Sequence, residues 1–281
     1  TCQIIWKALL DAAADRKAIL LNLGGGVIGD MGGFVASTYK RGIDFVQMPT
    51  TLLSQVDASV GGKLGVDFDG LKNVIGVFRQ PKAVFIHSDF LHTLPANQLM
   101  SGFAEILKHG LIADAAYWNS LQAVNPQEHH DWADIIARSV AIKQDVVAAD
   151  PLEKGRRKIL NFGHTLGHAI ETWSLTAEDQ PLLHGEAIAI GMIGETYLSQ
   201  QHAGLSSEDA NAIIATLQQW YPKRNIPADA VDTIISLLAN DKKNEGHVVM
   251  YSLLRSLGDC TFDIAVPESA AREAIDFYQT L

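Results

Sequence analysis

The chain has 281 residues, of which 47% are hydrophobic, and it carries a formal net charge of −10 at pH 7. This length allows one large domain or two ordinary domains with a sizeable buried core. The acidic balance disfavours nucleic acid as a partner, and no apolar run is long enough to span a membrane.

The start of the chain and its two cysteines bear on location. Residues 1–7 predict the beginning of a helix and lack the basic and apolar regions of a signal peptide. Cys2 and Cys260 form no disulfide framework and fit a reducing cytoplasm. Since the chain does not begin with Met, we expect that it has been processed, trimmed or only partly covered.

The first third of the chain alternates between helical and strand patterns. Helical apolar spacing covers residues 3–14 and 29–39, and short continuous apolar runs predict strands at residues 18–23, 45–48 and 83–86. Continuous apolar strands separated by helices predict a parallel sheet that is covered on both faces. This part is expected to be a Rossmann-like nucleotide domain over residues 1–95, truncated at its N-terminus.

The remainder, residues 96–281, predicts a multi-helical domain that binds metal and substrate. The boundary falls near Pro95, because proline suits the first turn of a helix. A weak strand signal lies near residues 247–254. Helical apolar spacing covers residues 97–113, 131–149, 160–174, 185–203, 207–219 and 229–239.

A glycine-rich turn follows the first predicted strand and opens a helix. The run from Gly24 to Asp30 satisfies the pattern G-x-G-x-x-G, in which glycines let the backbone approach a pyrophosphate at a helix N-terminus. The alternative is a tight turn with close packing and no ligand. Gly32 and Gly33 each cost the helix about 1 kcal/mol relative to alanine. We therefore expect another group, from the protein or from a ligand, to pack close to this helix.

Cationic residues occur in segments that otherwise read as buried or tightly turned. Lys63 and Lys72 lie beside glycines, where an ammonium group can reach a bound anion, and Asp57 precedes them. A phosphorylated substrate explains such a cluster in an acidic protein better than solvated surface charge does. The further cations are Arg41, Lys143, Arg157, Lys242 and Lys243.

Three histidines form the strongest chemical pattern of the helical half. His164 and His168 lie four residues apart and so share one helix face, and His184 follows after a loop. Imidazoles are common ligands of a divalent transition metal, but packing or capping histidines remain an equal alternative. Glu105 and Lys108 lie three residues apart on another helix. They form either an ordinary ion pair or a carboxylate ligand with a lysine turned toward substrate.

Taken together, these segments resemble the 3-dehydroquinate synthase family of sugar-phosphate cyclases. Several of the segments are weak signals alone, but their ordered combination is specific and covers essentially the whole chain. The matching runs are residues 24–30, 49–63, 72–73, 104–108, 161–168, 184–186 and 241–244.

The resemblance implies a metal site and a nucleotide site. Glu105, His164 and His184 would hold Zn²⁺ or Co²⁺, and His168 would instead face the substrate. NAD⁺ would contact Gly25, Gly26, Val27, Asp30, Thr50, Thr51, Leu53, Asp57, Lys72, Thr93 and Leu94.

The resemblance also implies substrate and catalytic residues. The catalytic set would be His168, Lys108, Asn161, Lys143 and Asp57. The residues that bind a phosphorylated sugar acid would be Lys63, Asn73, Arg157, Arg41, Lys72 and one of Lys242 and Lys243. Arg41 would reach the site of a neighbouring subunit, which implies a homodimer.

The implied reaction converts 3-deoxy-D-arabino-heptulosonate 7-phosphate into 3-dehydroquinate and phosphate, with NAD⁺ used catalytically. Three alternatives remain: a cyclase that makes an inosose or a valiolone, a metal-dependent polyol or alcohol dehydrogenase, and a non-catalytic remnant. Two departures from the family pattern stand out. Gln98 replaces a common glutamate, and the family usually has a further N-terminal segment that contacts the adenosine half of NAD⁺.

Overall fold

The computed structural model describes residues 1–68, 71–239 and 248–281. The chain forms two compact units. The first contains Thr1–Gly102 and His129–Val147, and the second contains Phe103–Glu128 and Ala148–Leu281. Among the described residues, none of the helices combines the length and the apolar character needed to traverse a bilayer.

The first unit is an α/β structure, as the sequence predicts. Strands β1 (Ile19–Gly24), β2 (Asp44–Pro49) and β5 (Ala83–Val84) form a parallel sheet in that order. Strands β3 (Lys63–Phe68) and β4 (Leu71–Phe78) form an antiparallel hairpin. The helices before and after β1 are α1 (Cys2–Asp11) and α2 (Gly26–Thr38).

The hairpin corrects one sequence expectation. The sequence placed Lys63 and Lys72 in glycine turns, but Lys63 begins β3 and the backbone of residue 72 belongs to β4. The turn lies just before, where Gly61 and Gly62 have φ values of 112° and 65°. Glycines interrupt the apolar pattern that predicts a strand. Antiparallel pairing is made by backbone groups, so these positions pair without apolar side chains.

Strand β1 is less covered than its apolar sequence predicts. Ile19, Leu21 and Leu23 are 62%, 53% and 53% exposed, whereas Asn22 is buried. Side chains alternate between the two faces of a strand, so the exposed residues share one face. Within the described part of the chain, the prediction of a sheet covered on both faces is therefore wrong for β1.

Helix α2 packs closely on the other face of the sheet. Asn22 and Gln47 are paired across β1 and β2, and Gln47 Nε2 donates to the carbonyl of Gly29 at 3.0 Å. A Cβ atom on Gly32 would lie 2.6 Å from Asn22 Cγ, and one on Gly33 would lie 2.5 Å from a methyl group of Leu64. The groups that come close to the glycine-rich helix are thus side chains of the protein itself.

The second unit is mainly helical, in agreement with the sequence. It contains an antiparallel hairpin of β6 (Val248–Ser256) and β7 (Asp259–Pro267), and β6 lies where the sequence carries a weak strand signal near residues 247–254. Helices α3 (Ala96–Ala113) and α5 (Ala133–Ala149) contribute residues to both units. The other helices are α4 (Ala115–Leu121), α6 (His164–Ala177), α7 (His184–His202), α8 (Ser207–Trp220), α9 (Ala228–Ala239) and α10 (Glu268–Thr280).

Helices α6 and α7 pack against each other through glycines. A Cβ atom on Gly191 of α7 would lie 2.7 Å from the backbone nitrogen of Gly167 in α6. Gly163, just before α6, has a φ of 79° and lies under α7, where a Cβ atom would be 3.2 Å from the Ile188 carbonyl. Because backbone meets backbone here, the two helices have little freedom to shift.

Candidate active site

The glycine turn of the first unit lies at the carboxyl edge of the parallel sheet. Gly24 ends β1 opposite Pro49, and its carbonyl accepts the backbone N–H of Thr50 at 3.0 Å. Gly25 immediately precedes α2, and a Cβ atom there would lie 3.2 Å from Thr51 Cγ2. The predicted nucleotide residues that follow β1 and β2 are therefore neighbours.

The other predicted nucleotide residues lie on three different elements. Val27 is exposed on the first turn of α2, and Leu53 precedes the short π-helix Ser54–Ala58. Thr93 and Leu94 end a 3₁₀-helix that begins at Ser88.

A cavity of about 350 Å³ in the first unit brings three predicted residues together. Asp30, Lys63 and Asn73 line it, and the Asn73 backbone N–H donates to the Asp67 carboxylate at 2.8 Å. Asn73 has a φ of 49°, so its backbone is held in the left-handed region. An ammonium group and an amide at one cavity suit a phosphate.

Asp57 and Lys143 form an ion pair in the first unit. Lys143 Nζ lies 2.5 Å from Asp57 Oδ1 and donates to the Asp57 carbonyl at 2.7 Å. Both residues act on Asp30. Burial raises the pKa of Asp30 to about 7, helped by the negative charge of Asp57 and opposed by Lys143.

The second unit brings Glu105, His164 and His184 together. Glu105 Oε1 lies 3.3 Å from His164 Nε2 and 3.6 Å from His184 Nε2, and the Glu105 side chain is fully buried. The residues come from three helices, α3, α6 and α7. Two imidazole nitrogens and a carboxylate oxygen facing one point form the donor set of a catalytic zinc site.

The other ring nitrogen of each histidine faces an oxygen atom. His164 Nδ1 lies 3.1 Å from the Phe162 carbonyl, and His184 Nδ1 lies 3.4 Å from Glu171 Oε2. These contacts favour the tautomer with the proton on Nδ1, which leaves the Nε2 lone pairs for a metal. The donor chemistry therefore fits a divalent transition metal.

The buried charges shift the pKa values of this cluster. Burial acts to raise the pKa of Glu105, but the Lys108 ammonium and His164 outweigh it and hold it well below the usual range. Burial acts to lower the pKa of His184, but Glu105 and Glu171 raise it to about 9. The pKa of His164 falls because of burial and the charge of Lys108.

Lys108 and His168 lie beside the cluster. Lys108 forms an ion pair with Glu105 Oε2, and both side chains are buried, so this is no ordinary surface pair. The His168 ring centroid is 5.0 Å from that of His164 and 5.8 Å from that of His184. His168 is the exposed member of the three histidines, which suits a group that meets a substrate.

Arg157 and Asn161 lie in the short 3₁₀-helix before α6. Arg157 is buried and its Nη1 donates to the Pro151 carbonyl at 2.9 Å. Asn161 Nδ2 donates to Glu153 Oε1 at 3.1 Å. Both side chains are therefore held in place by the preceding loop, which Asp150 orders by accepting backbone N–H groups from residues 154, 155 and 157.

The remaining predicted residues are less informative. Arg41 is exposed, with a φ of 67°, at the end of a 3₁₀-helix. Gln98 lies in the first turn of α3. Lys242 and Lys243, together with the side chain of Lys72, lie outside the described residues.

Sequence reasoning missed two buried glutamates of the second unit. Glu171 continues the helix face of His164 and His168 at a spacing of seven and three residues, so the histidine face itself could have indicated it. Glu195 is a single carboxylate in an apolar stretch of α7, and buried carboxylates are rare without a partner. Neither residue belongs to a run that the resemblance rests on.

Comparisons with known proteins agree with this architecture. A family model described as 3-dehydroquinate synthase N-terminal matches residues 1–101, and one described as 3-dehydroquinate synthase C-terminal matches residues 102–244. The 3-dehydroquinate synthase of Parabacteroides distasonis is 42% identical over 277 residues, which are 98% of this chain and 78% of that protein.

Two solved structures share the fold. The 2-epi-5-epi-valiolone synthase of Streptomyces hygroscopicus subsp. jinggangensis, with NAD⁺ and Zn²⁺ bound, has a TM-score of 0.88 at 27% identity, covering 99% of this chain and 78% of that one. A 2-deoxy-scyllo-inosose synthase complexed with carbaglucose-6-phosphate, NAD⁺ and Co²⁺ has a TM-score of 0.83 at 26% identity, with coverages of 98% and 78%.

The likeness to these two enzymes over nearly the whole chain places the protein in the sugar-phosphate cyclase class. Within that class the family models and the sequence identity are decisive. The chain belongs to the 3-dehydroquinate synthase family.

Proposed function

We propose that the chain converts 3-deoxy-D-arabino-heptulosonate 7-phosphate into 3-dehydroquinate and phosphate, with NAD⁺ and one Zn²⁺ or Co²⁺ as cofactors. One observation carries this proposal. The buried Glu105 carboxylate faces the Nε2 atoms of both His164 and His184, while a separate oxygen atom faces each Nδ1. Family membership supplies the particular reaction.

The residues of the second unit serve the oxidation and reduction of the substrate. Glu105, His164 and His184 would hold the divalent ion. A bound metal ion would supply polarisation of a substrate hydroxyl group, and NAD⁺ would supply reversible hydride transfer. His168, the exposed histidine beside them, transfers the proton at the substrate. Lys108 remains paired with Glu105 and presents its positive charge to the same region.

The phosphate is bound by cationic and amide groups. Lys63 and Asn73 line one cavity of the first unit, and Arg157 is held by its loop in the second. These groups stabilise the charge that develops on phosphate as it leaves by elimination. Lys72 and one of Lys242 and Lys243 complete this set.

The other groups orient the substrate and the nucleotide. Asp57 holds the Lys143 ammonium, and Asn161 is fixed by Glu153, so both Lys143 and Asn161 can keep the ring-closing carbon atoms in place. The nucleotide is assigned to the edge formed by the loops after β1 and β2, with Thr93 and Leu94 as further contacts.

We also propose partners and a location for the protein. The substrate is a small phosphorylated sugar acid. A homodimer with Arg41 contributed to the neighbouring site, and a cytoplasmic location, follow from the resemblance. The exposed position of Arg41 supports such a contact.

Phosphate release from the heptulosonate phosphate tests the reaction. We expect release that needs added NAD⁺ and that stops on treatment with a chelator, without net formation of NADH. His184→Ala should abolish release, and the control His202→Ala, at the exposed end of the same helix, should not. Full turnover by His184→Ala would refute the ligand assignment.

A substrate comparison separates this proposal from its alternatives. Faster turnover of a hexose phosphate than of the heptulosonate phosphate would favour another cyclase activity, such as that of an inosose synthase. Stoichiometric NADH from a simple polyol would favour a dehydrogenase. The 42% identity to a 3-dehydroquinate synthase, against 26% and 27% to the other two cyclases, supports the heptulosonate phosphate.

A further inference from the structure

Glu195 is a charged side chain inside an otherwise apolar part of α7. It lies three turns beyond His184 on the same helix, and none of its surface is exposed. Its neighbours along the helix include the buried residues Met192, Ile193 and Leu198. A carboxylate in such a place is costly unless it is well bonded, so its partners indicate what it does.

The partners of Glu195 are the first backbone N–H groups of helix α6. Oε2 accepts from Gly163 N at 2.6 Å, and Oε1 accepts from Leu166 N at 3.0 Å. The backbone N–H of Thr165 also interacts with this carboxyl group. The first N–H groups of a helix have no partner within it and usually bond to a capping side chain.

Helix α6 has no such cap of its own. Its N-cap residue is Gly163, which has no side chain. Glu195 therefore supplies from α7 the cap that the local sequence lacks. In its ionised form, the carboxyl group of Glu195 also complements the helix dipole at this end.

The capped turn is the one that carries His164. His164 is the first residue of α6, between the two backbone groups that Glu195 binds, and its Nδ1 faces the carbonyl of Phe162 just before that turn. Helix α7 thus carries His184 at its own start and, through Glu195, fixes the start of α6. The close approach of Gly191 to Gly167 keeps the two helices in register.

We infer that Glu195 is a positioning residue of the metal site, which holds the His164 imidazole at the distance from His184 that a divalent ion requires. This inference rests on the proposed metal role of His164 and His184. Loss of the Glu195 carboxylate therefore weakens metal binding by more than loss of an equally buried hydrogen bond elsewhere on α7.

The experiment compares metal-free wild type with Glu195→Ala, Glu195→Gln and a matched control, Ser199→Ala. Ser199 lies one turn further along α7, is fully buried, and its Oγ accepts the backbone N–H of Leu254 at 3.0 Å. Ser199→Ala therefore also removes a buried acceptor from a backbone N–H, but at β6 instead of α6. Both control and test variants are expected to have a lower Tm.

The readouts are the Kd for Zn²⁺ and Co²⁺, from competition with a chelator, and the visible absorption spectrum of the Co²⁺ form. Burial raises the pKa of Glu195 to about 8, against the backbone donors that lower it. The measurements are therefore made near pH 8.5, roughly half a unit above that pKa, so that the carboxylate form predominates.

We expect Glu195→Ala to weaken metal binding by about 10- to 100-fold and to change the Co²⁺ spectrum, because the ligand geometry is loosened. Glu195→Gln keeps one acceptor oxygen and should fall between Ala and wild type. Ser199→Ala should bind both metals as wild type does. If Glu195→Ala does not fold, the comparison of Glu195→Gln with Ser199→Ala decides by the same criterion.

Two results would overturn the inference, and they are distinguishable. If wild type binds neither metal, the proposed function fails and the inference fails with it. If wild type binds metal but the Glu195 variants match Ser199→Ala in Kd and in spectrum, the proposed function stands. Glu195 then only stabilises the fold.

Discussion

The two compact units hold their candidate site residues in different ways. In the first unit most of these residues follow strand ends or line a surface cavity, and Val27, Lys63 and Asn73 are exposed. The exception is Lys143, which is buried on α5 and paired with Asp57. In the second unit the site residues project from helices and are largely buried, each beside a partner, as Glu105 is beside Lys108. A site on loops depends mainly on the backbone. A site inside a helical unit depends on linked buried contacts, so a single substitution should affect several of its members.

The largest expected effect comes from breaking the buried ion pair. Lys108→Ala leaves the Glu105 carboxylate buried without its ammonium partner, a change that should cost about 3 kcal/mol of unfolding free energy in the metal-free protein. Urea unfolding measures it. The matched control is Lys7→Ala in α1, where the partner Asp11 is also on the next turn.

The control tests burial and not sequence spacing. The Lys7 and Asp11 side chains are 73% and 63% exposed, against 1% and 0% for Lys108 and Glu105. An exposed helical pair contributes about 0.3 kcal/mol. Equal losses in Lys108→Ala and Lys7→Ala would contradict the difference that we draw between the two units.

Glu171→Gln tests the next contact outward from the metal ligands. The change keeps an oxygen that can accept a hydrogen bond from His184 Nδ1–H, but it removes the negative charge. The Kd for Zn²⁺ should therefore rise about tenfold. Competition with a chelator measures it. Glu178→Gln is the control, because Glu178 follows the same helix but pairs with Arg224 at 3.2 Å. An equal change in both variants would count against a role for Glu171.

Much of the fold follows from local sequence patterns. The spacing of apolar residues predicts the parallel strands β1, β2 and β5 and most of the long helices, because these patterns depend on neighbours a few positions apart. The β3–β4 hairpin was missed because its glycines interrupt the strand pattern. The division at residue 95 stays a prediction.

The site could be predicted only in part. Spacing places His164 and His168 on one helix face, and their rings are indeed 5.0 Å apart. Spacing gives no reason to prefer Glu105 over His168, since Glu105 belongs to a helix some sixty residues earlier. The contacts of Glu195 with α6 depend on how two helices cross, and no local pattern encodes that crossing.

The smallest effect is expected in the first unit, at Asp30. Its pKa is raised to about 7 by burial and by Asp57, whereas an unfolded aspartate has a pKa of about 3.9. The folded state therefore keeps a proton that the unfolded state loses between these values. The stability that this proton contributes is complete below about pH 4 and is lost as pH rises through 7.

Asp30→Asn cannot ionise and should not lose this contribution. At pH 8 we expect it to be more stable than wild type by about 1 kcal/mol, a value reduced by the partial exposure of Asp30, with the advantage vanishing toward pH 4. Urea unfolding across this range measures the difference. Asp67→Asn removes one of the negative charges that raise the Asp30 pKa. In this variant the pH-dependent loss of stability should therefore occur at lower pH. If the difference in unfolding free energy between wild type and Asp30→Asn did not vary with pH, the Asp30 carboxyl group would ionise in the folded protein as it does in water. The first unit would then lack the shifted carboxyl pKa that we infer for it.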